Sequence, residues 1–238
     1  MKRSKLFLYQ PSGGYRYNSD TIFLADFIRR FKPRGEVLDI GCGVGILGLV
    51  LRKEFPVHIT AIDKRPAAVR YTLRNFALHG WEIDAIEADV TAWESDRRFD
   101  MIVSNPPFYH PNVDRSEDSE LNIARYAHHL PLEALIAKVK RLLKPKGRFV
   151  FCYDAKQIDA ICALASAHKL NVETLRFVHS KIDRPSKLVF VSVRAGSKAL
   201  TEVLPPLIVF DEHSRYLPEA KQAFVRADTH AVTADETL

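Results

Sequence analysis

Val37-Leu38-Asp39-Ile40-Gly41-Cys42-Gly43-Val44-Gly45-Ile46-Leu47-Gly48 decides the fold. An apolar run of strand formers ends at Asp39 and Ile40, Gly41, Gly43 and Gly45 follow at alternate positions, and an apolar stretch of helical character begins at once. Glycine at such a junction lets backbone approach a ligand and adopt positive φ angles that a side chain disfavours. A strand that turns into a helix through glycines opens a βα unit, with its ligand at the carboxyl end of the strand. Asp39 narrows the ligand: its carboxylate would repel the pyrophosphate of a dinucleotide, yet it suits a cofactor with an ammonium and a sulfonium, as S-adenosylmethionine has.

Outward from this junction the same pattern repeats, a short apolar run, a turn, then helical periodicity. Strands are expected at 36–40, 57–62, 82–88, 99–104 and 147–153, with helices at 45–54, 66–79, 131–143 and 155–168. Helix-connected strands imply an α/β fold, a doubly wound and mostly parallel Rossmann-like sheet. Two later runs, 171–179 and 187–194, are joined by a polar segment too short for a crossover helix, so the final strand is expected to be antiparallel. Residues 1–30 read as a segment that covers the substrate and cofactor side, 31–226 as the α/β domain, and 227–238, small and polar, as a disordered tail. The long polar insertion 106–130, at a strand's carboxyl end, reads as a functional loop.

Acidic residues recur at the strand ends. Asp63, followed by Lys64, lies about 20 residues beyond the glycines, where a carboxylate accepts from ribose hydroxyls. Asp89, followed by Val90, is placed to accept from the adenine amine of the same cofactor. Both Asp63 and Asp89 also fit a plainer role, capping the helix that follows.

The strand 99–104 stops at Asn105-Pro106-Pro107-Phe108, the most informative tetrapeptide in the chain. Consecutive prolines fix φ and lack N–H groups, which holds the backbone rigid and keeps its carbonyls out of a ladder. The Asn105 side-chain oxygen and the Pro106 carbonyl then offer two acceptors to the two protons of a planar amino group. Such an amine is a poor nucleophile because its lone pair is delocalised into the ring. Acceptors around it favour the tetrahedral, positive nitrogen formed on attack, and Phe108, with Tyr109, can stack on the ring and orient it.

The set Asp39 to Gly45, Asp63, Asp89 and Asn105-Pro106-Pro107-Phe108 resembles the class I methyltransferases that act on planar amines. Asn18-Ser19-Asp20-Thr21, Arg184-Pro185-Ser186-Lys187, Leu207-Ile208-Val209-Phe210 and Arg215-Tyr216 make the chain similar to the bacterial tRNA adenine-N6 methyltransferases, up to about Phe224. That resemblance implies S-adenosylmethionine as cofactor, tRNA as partner and the adenosine beside the anticodon of valine tRNA as target. It also implies that Asp20 serves the cofactor or substrate side of the pocket, where sequence alone reads a helix N-cap. Members often carry Tyr where this chain has Phe108, which leaves the target base open while stacking survives.

The composition agrees with such a role. A formal charge of +6, with three acidic residues and no Lys or Arg among 227–238, concentrates positive charge on the rest of the 238-residue chain and suits a polyanion. Arg115, Arg125, His128 and His129 in the insertion, and Lys181, Arg184 and Lys187 later on, are candidate phosphate contacts. The paired histidines lack a third ligand, so no metal is expected. Cys42, Cys152 and Cys162 show no paired framework and read as reduced. No apolar run approaches the roughly 20 residues a membrane span needs, and the start has no signal-type block, so a cytoplasmic protein is expected. Rival readings are a glutamine-N5 methyltransferase of release factors, an rRNA guanine-N2 methyltransferase, a nicotinamide-dependent oxidoreductase and an inactive nucleic-acid binder.

Overall fold

The computed structural model of the chain describes residues 5–13, 16–106 and 130–234. In chain order it holds β1 (Leu6–Gln10), α1 (Ser19–Arg29), β2 (Gly35–Ile40), α2 (Ile46–Glu54), β3 (Val57–Asp63), α3 (Pro66–Ala77), β4 (Asp84–Glu87) and β5 (Phe99–Ser104). There follow α4 (Leu132–Leu142), β6 (Leu143–Asp154), α5 (Ile158–Ala167), β7 (Leu170–His179), β8 (Leu188–Ala195), β9 (Glu202–Val203), β10 (Leu207–Ile208), α6 (Pro218–Ala227) and β11 (Thr229–Thr233).

The main sheet runs β10-β7-β8-β6-β5-β2-β3-β4, with β9 also on β7. Every pairing in it is parallel except those of β8, which lies antiparallel between β6 and β7. The expected doubly wound, mostly parallel sheet with a late antiparallel strand is therefore present. Its central strands are apolar along their length because helices cover both faces: Val37, Leu38, Ile102, Val103, Phe149, Val150, Phe151, Val189, Phe190 and Val191 are all fully buried. The chain reverses order beside β2, and the carboxyl ends of β5, β2, β3 and β4 come to one edge. That edge is where open α/β sheets bind ligands.

The C-terminal end departs from expectation. Residues 227–238 were expected to lack order, yet Thr229–Thr233 form β11, paired in parallel along all of β1, with Leu6↔Thr229 and Gln10↔Thr233. The Tyr71 hydroxyl donates to Ala234 O at 2.7 Å and fastens the end of this strand to α3. Most of β11 is only partly covered, so its order comes from backbone pairing and not from apolar composition. At the other end, Leu6, Leu8, Ile22, Leu24 and Ile28 join the same core as the sheet, so this N-terminal segment is built into the fold. Helix α6 packs on α1 through an edge-to-face contact of Phe23 with Phe224, and the Arg226 guanidinium donates to both oxygens of Asp26.

Smaller differences have local causes. The expected helix 131–143 stops at Leu142 because β6 begins at once, and the expected strand 82–88 shortens to four residues at the open edge of the sheet. Among the described residues, no helix is long and apolar enough to cross a membrane, and no group of three or more His, Cys, Asp and Glu side chains is placed to hold a metal.

Candidate active site

The glycine junction has the geometry its composition requires. Gly41, Gly43 and Gly45 have φ of 69°, 58° and 81°, all in the left-handed region that favours glycine. A Cβ on Gly41 would meet nothing within 4 Å, so the backbone there stands against open space at the strand end. The loop is braced from below: the Thr72 hydroxyl donates to Gly43 O at 3.1 Å, and Asn75 Nδ2 donates to Val44 O at 2.8 Å. Asn75 also exchanges two hydrogen bonds with the backbone of Tyr9, tying β1 to the loop.

Asp39 sits under this loop, 2% exposed, its Oδ2 accepting from Gly48 N at 3.2 Å. Burial pushes its carboxyl up to about 7, with the Asp63 carboxylate adding to the effect. A carboxyl so perturbed at a strand end is a place for a cation.

Asp63 is buried and heavily engaged. Its Oδ2 accepts from Gly43 N at 3.0 Å and from the Arg65 guanidinium, and its Oδ1 accepts from Arg65 N and Nε. A diol at Asp63 would have to take the place of Arg65. Lys64 is exposed beside it. Asp89 is exposed and uses Oδ1 to accept from Thr91 N at 2.8 Å and Thr91 Oγ1 at 2.6 Å, a local capping arrangement, while Val90 is buried next to it. The parallel register brings the ends of β5, β2, β3 and β4 side by side, so Asn105, Gly41, Asp63 and Asp89 follow one another along one edge.

The cleft itself is lined by Asp39, Gly41 and Asn105 together with Tyr17, Thr21, Cys42, Val44, Ile46 and Leu47. Asn105 Nδ2 donates to Thr21 Oγ1 at 2.9 Å, while its Oδ1 is buried and has no hydrogen-bond partner among the described residues. Buried acceptors are almost always satisfied, so an orphan in the wall of a cleft marks a place for a donor that arrives with a ligand. Just before it, the Ser104 hydroxyl donates to Ile40 O at 2.8 Å and locks the end of β5 to the end of β2. Pro106 is buried; Pro107, Phe108 and Tyr109 lie outside the described residues, as do Arg115, Arg125, His128 and His129.

The N-terminal contribution differs from the simple cap reading. Asn18, not Asp20, caps α1, its Oδ1 accepting from Thr21 N, and Asp20 lies in the first turn. Burial raises the Asp20 carboxyl above its ordinary value even though Ser19 and Asn18 donate to it. Sequence reasoning missed Tyr17, Thr21 and Thr72. Nothing local marks them, because each acquires its role from residues brought near by the fold. Lys181, Arg184 and Lys187 lie in or beside the turn after β7, which runs parallel to β5 and so emerges at the same edge as the cleft.

The model of the family called the methyltransferase small domain matches residues 18–174, from the cap of α1 into the middle of β7. A tRNA1(Val) (adenine(37)-N6)-methyltransferase of Dickeya chrysanthemi is 32% identical over 213 residues, covering 84% of this chain and 83% of that one. A protein of the same name from Phocaeicola vulgatus is 30% identical over 190 residues, 79% of this chain and 80% of the other. Among solved structures, a predicted O-methyltransferase from Agrobacterium tumefaciens is similar with a TM-score of 0.69 at 16% identity, covering 90% of this chain and 99% of that one, a likeness of fold alone. The matched span contains both the glycine junction and Asn105, and the likeness to whole relatives runs along most of the chain: it belongs to the methyltransferase small-domain family and to the same family as the tRNA1(Val) (adenine(37)-N6)-methyltransferases.

Proposed function

We propose that this methyltransferase transfers a methyl group from S-adenosylmethionine to the exocyclic N6 amine of an adenine in tRNA, the base beside the anticodon of valine tRNA. The observation that carries the reading is the buried Asn105 Oδ1, without a partner among the described residues, in the same cleft as Asp39 and the glycine loop.

The residues present fit the cofactor. Asp39 offers a buried anionic group, the loop at Gly41 leaves room for close approach, and Asp63 and Asp89 stand further along the edge where a ribose and an adenine would extend. When bound, S-adenosylmethionine supplies an electrophilic methyl group on a positively charged sulfur. Asn105 Oδ1 accepts a hydrogen bond from the target amine, and the Pro106 carbonyl is the second acceptor that the tetrapeptide implies. As the amine nitrogen becomes tetrahedral and positive, its N–H groups become stronger donors, so these acceptors hold the transition state more tightly than the ground state. Phe108, outside the described residues, is the aromatic side chain that the tetrapeptide offers for stacking on the base. No strong base is required, because the surplus proton leaves the nitrogen after transfer.

Names of the relatives support tRNA as the substrate, and the basic turn at the same edge of the sheet as the cleft suits its phosphates. The action belongs in the cytoplasm, on a loop nucleotide that can be splayed out cheaply. Purified protein incubated with methyl-labelled S-adenosylmethionine and, in parallel, unmodified tRNA, rRNA or a release factor, followed by nucleoside and peptide mass spectrometry, tests the reading. Label in N6-methyladenosine of valine tRNA is expected, with little on perfect duplex. Label in a methylated guanosine, or only in the glutamine of a release factor, would replace it with one of its rivals.

A further inference from the structure

The two ends of an asparagine amide are nearly alike in shape but opposite in hydrogen bonding, so a site that needs the oxygen must control the rotation of the group. Asn105 Nδ2 donates to Thr21 Oγ1 at 2.9 Å. The Thr21 hydroxyl donates to Asn18 Oδ1 at 3.4 Å, and Asn18 Nδ2 donates to Asp20 Oδ2 at 3.0 Å. We propose that Asn18, Thr21 and Asp20 form a directional hydrogen-bond chain that fixes which end of the Asn105 amide meets the substrate, with Thr21 as its positioning residue.

The direction follows from the groups themselves. An ionised Asp20 can only accept, so Asn18 must turn its nitrogen toward it. On the other side of Asn18, the backbone N–H of Thr21 donates to the same Oδ1 at 3.4 Å, an independent constraint that also needs the oxygen there. With its single proton committed to Asn18, the Thr21 hydroxyl has only lone pairs to offer Asn105. Asn105 must therefore present Nδ2 to Thr21, which leaves Oδ1 unpaired among the described residues in the wall of the cleft. The cap that starts α1 thereby sets, through Thr21, the polarity of a residue 84 positions beyond that threonine.

This inference rests on Asn105 as the acceptor of the substrate amine, and the test separates the two. It is a double-mutant cycle between Thr21 and Asn105, read by single-turnover methylation of tRNA, with S-adenosylmethionine affinity measured by calorimetry. Thr21→Val keeps the shape but strands the part-buried Nδ2 in the productive rotamer, and turnover falls roughly tenfold. Cofactor affinity changes by less than about twofold, and Thr21→Ser stays within about threefold of wild-type turnover. In the Asn105→Ala background, Thr21→Val has no further effect on turnover. Wild-type turnover in Thr21→Val, or equal losses in both backgrounds, overturns the inference and leaves Asn105 in its role. Wild-type turnover in Asn105→Ala removes that role instead. If Thr21→Val does not fold, Thr21→Ala is read by the same criteria.

Discussion

Affinity for S-adenosylmethionine is expected to fall steeply below pH 7, because one buried carboxylate must be ionised to receive the cation. Asp39 is 2% exposed, and burial, reinforced by Asp63 and opposed by the hydrogen bond from Gly48, pushes its carboxyl from 3.8 up to about 7. The ionised fraction rises with pH, so affinity rises with it. At pH 7 about half the sites carry the charge and near pH 5.5 about one in thirty, which makes the apparent dissociation constant roughly 15-fold weaker at the lower pH. The ligand's α-amine titrates near 8 and stays largely protonated across this range. Calorimetry over that range, in two buffers of different ionisation heat, gives the affinity and the proton count. About half a proton should leave per ligand bound at pH 7, and nearly one near pH 5.5. The same carboxyl burdens the free protein: its folded value lies above its unfolded one, so stability is undiminished below about pH 4 and declines as pH rises toward 7. Asp39→Asn is therefore expected to weaken binding, flatten the pH profile and stabilise the unliganded protein near pH 8 by up to about 4 kcal/mol. Affinity constant within about twofold from pH 5.5 to 7, or proton uptake on binding, would refute the reasoning.

Gly45→Ala would impose a φ of 81° on a residue with a side chain and place its Cβ 3.1 Å from Thr72, which itself holds Gly43 O. A loss of roughly 2–3 kcal/mol in urea unfolding is expected, with weaker cofactor binding; an unchanged midpoint would show that the loop relaxes. Deleting residues from Thr229 onward removes the partner of β1, so amide hydrogen exchange in Phe7–Gln10 should quicken while Phe99–Ser104 keeps its protection. Unaltered exchange in β1 would mean that its packing on α3 suffices without β11.

Much of this was legible in the residues because burial on both faces leaves a plain signature. The central strands are apolar at nearly every position, and Gly41, Gly43 and Gly45 stand where positive φ is needed, so the α/β sheet and its ligand edge follow directly. The late antiparallel strand was readable from a connection too short for a helix. The terminal sheet was not: β1 and β11 are five residues each and lie more than 200 positions apart, and Thr229–Thr233 has none of the apolar alternation that marks a half-buried strand. Asn18, Ser19 and Asp20 are all cap formers, so composition could not say that Asn18 takes the cap and leaves Asp20 in the first turn. Asp63 was expected to stand ready for a ribose, whereas Arg65, two residues on, occupies its carboxylate. The pairing of Thr21 with Asn105 crosses 84 residues and has no trace in either local segment.

The central claim is that Asn105 stabilises the reacting amine without holding the cofactor. Comparing Asn105→Ala with the wild type, by calorimetry with S-adenosylmethionine and by turnover on tRNA, tests it most directly. The account predicts nearly unchanged cofactor affinity and a loss of turnover of roughly 10²–10³-fold, the cost of removing one preorganised electrostatic contact. Parallel loss of binding and rate, or full activity in the variant, would contradict it.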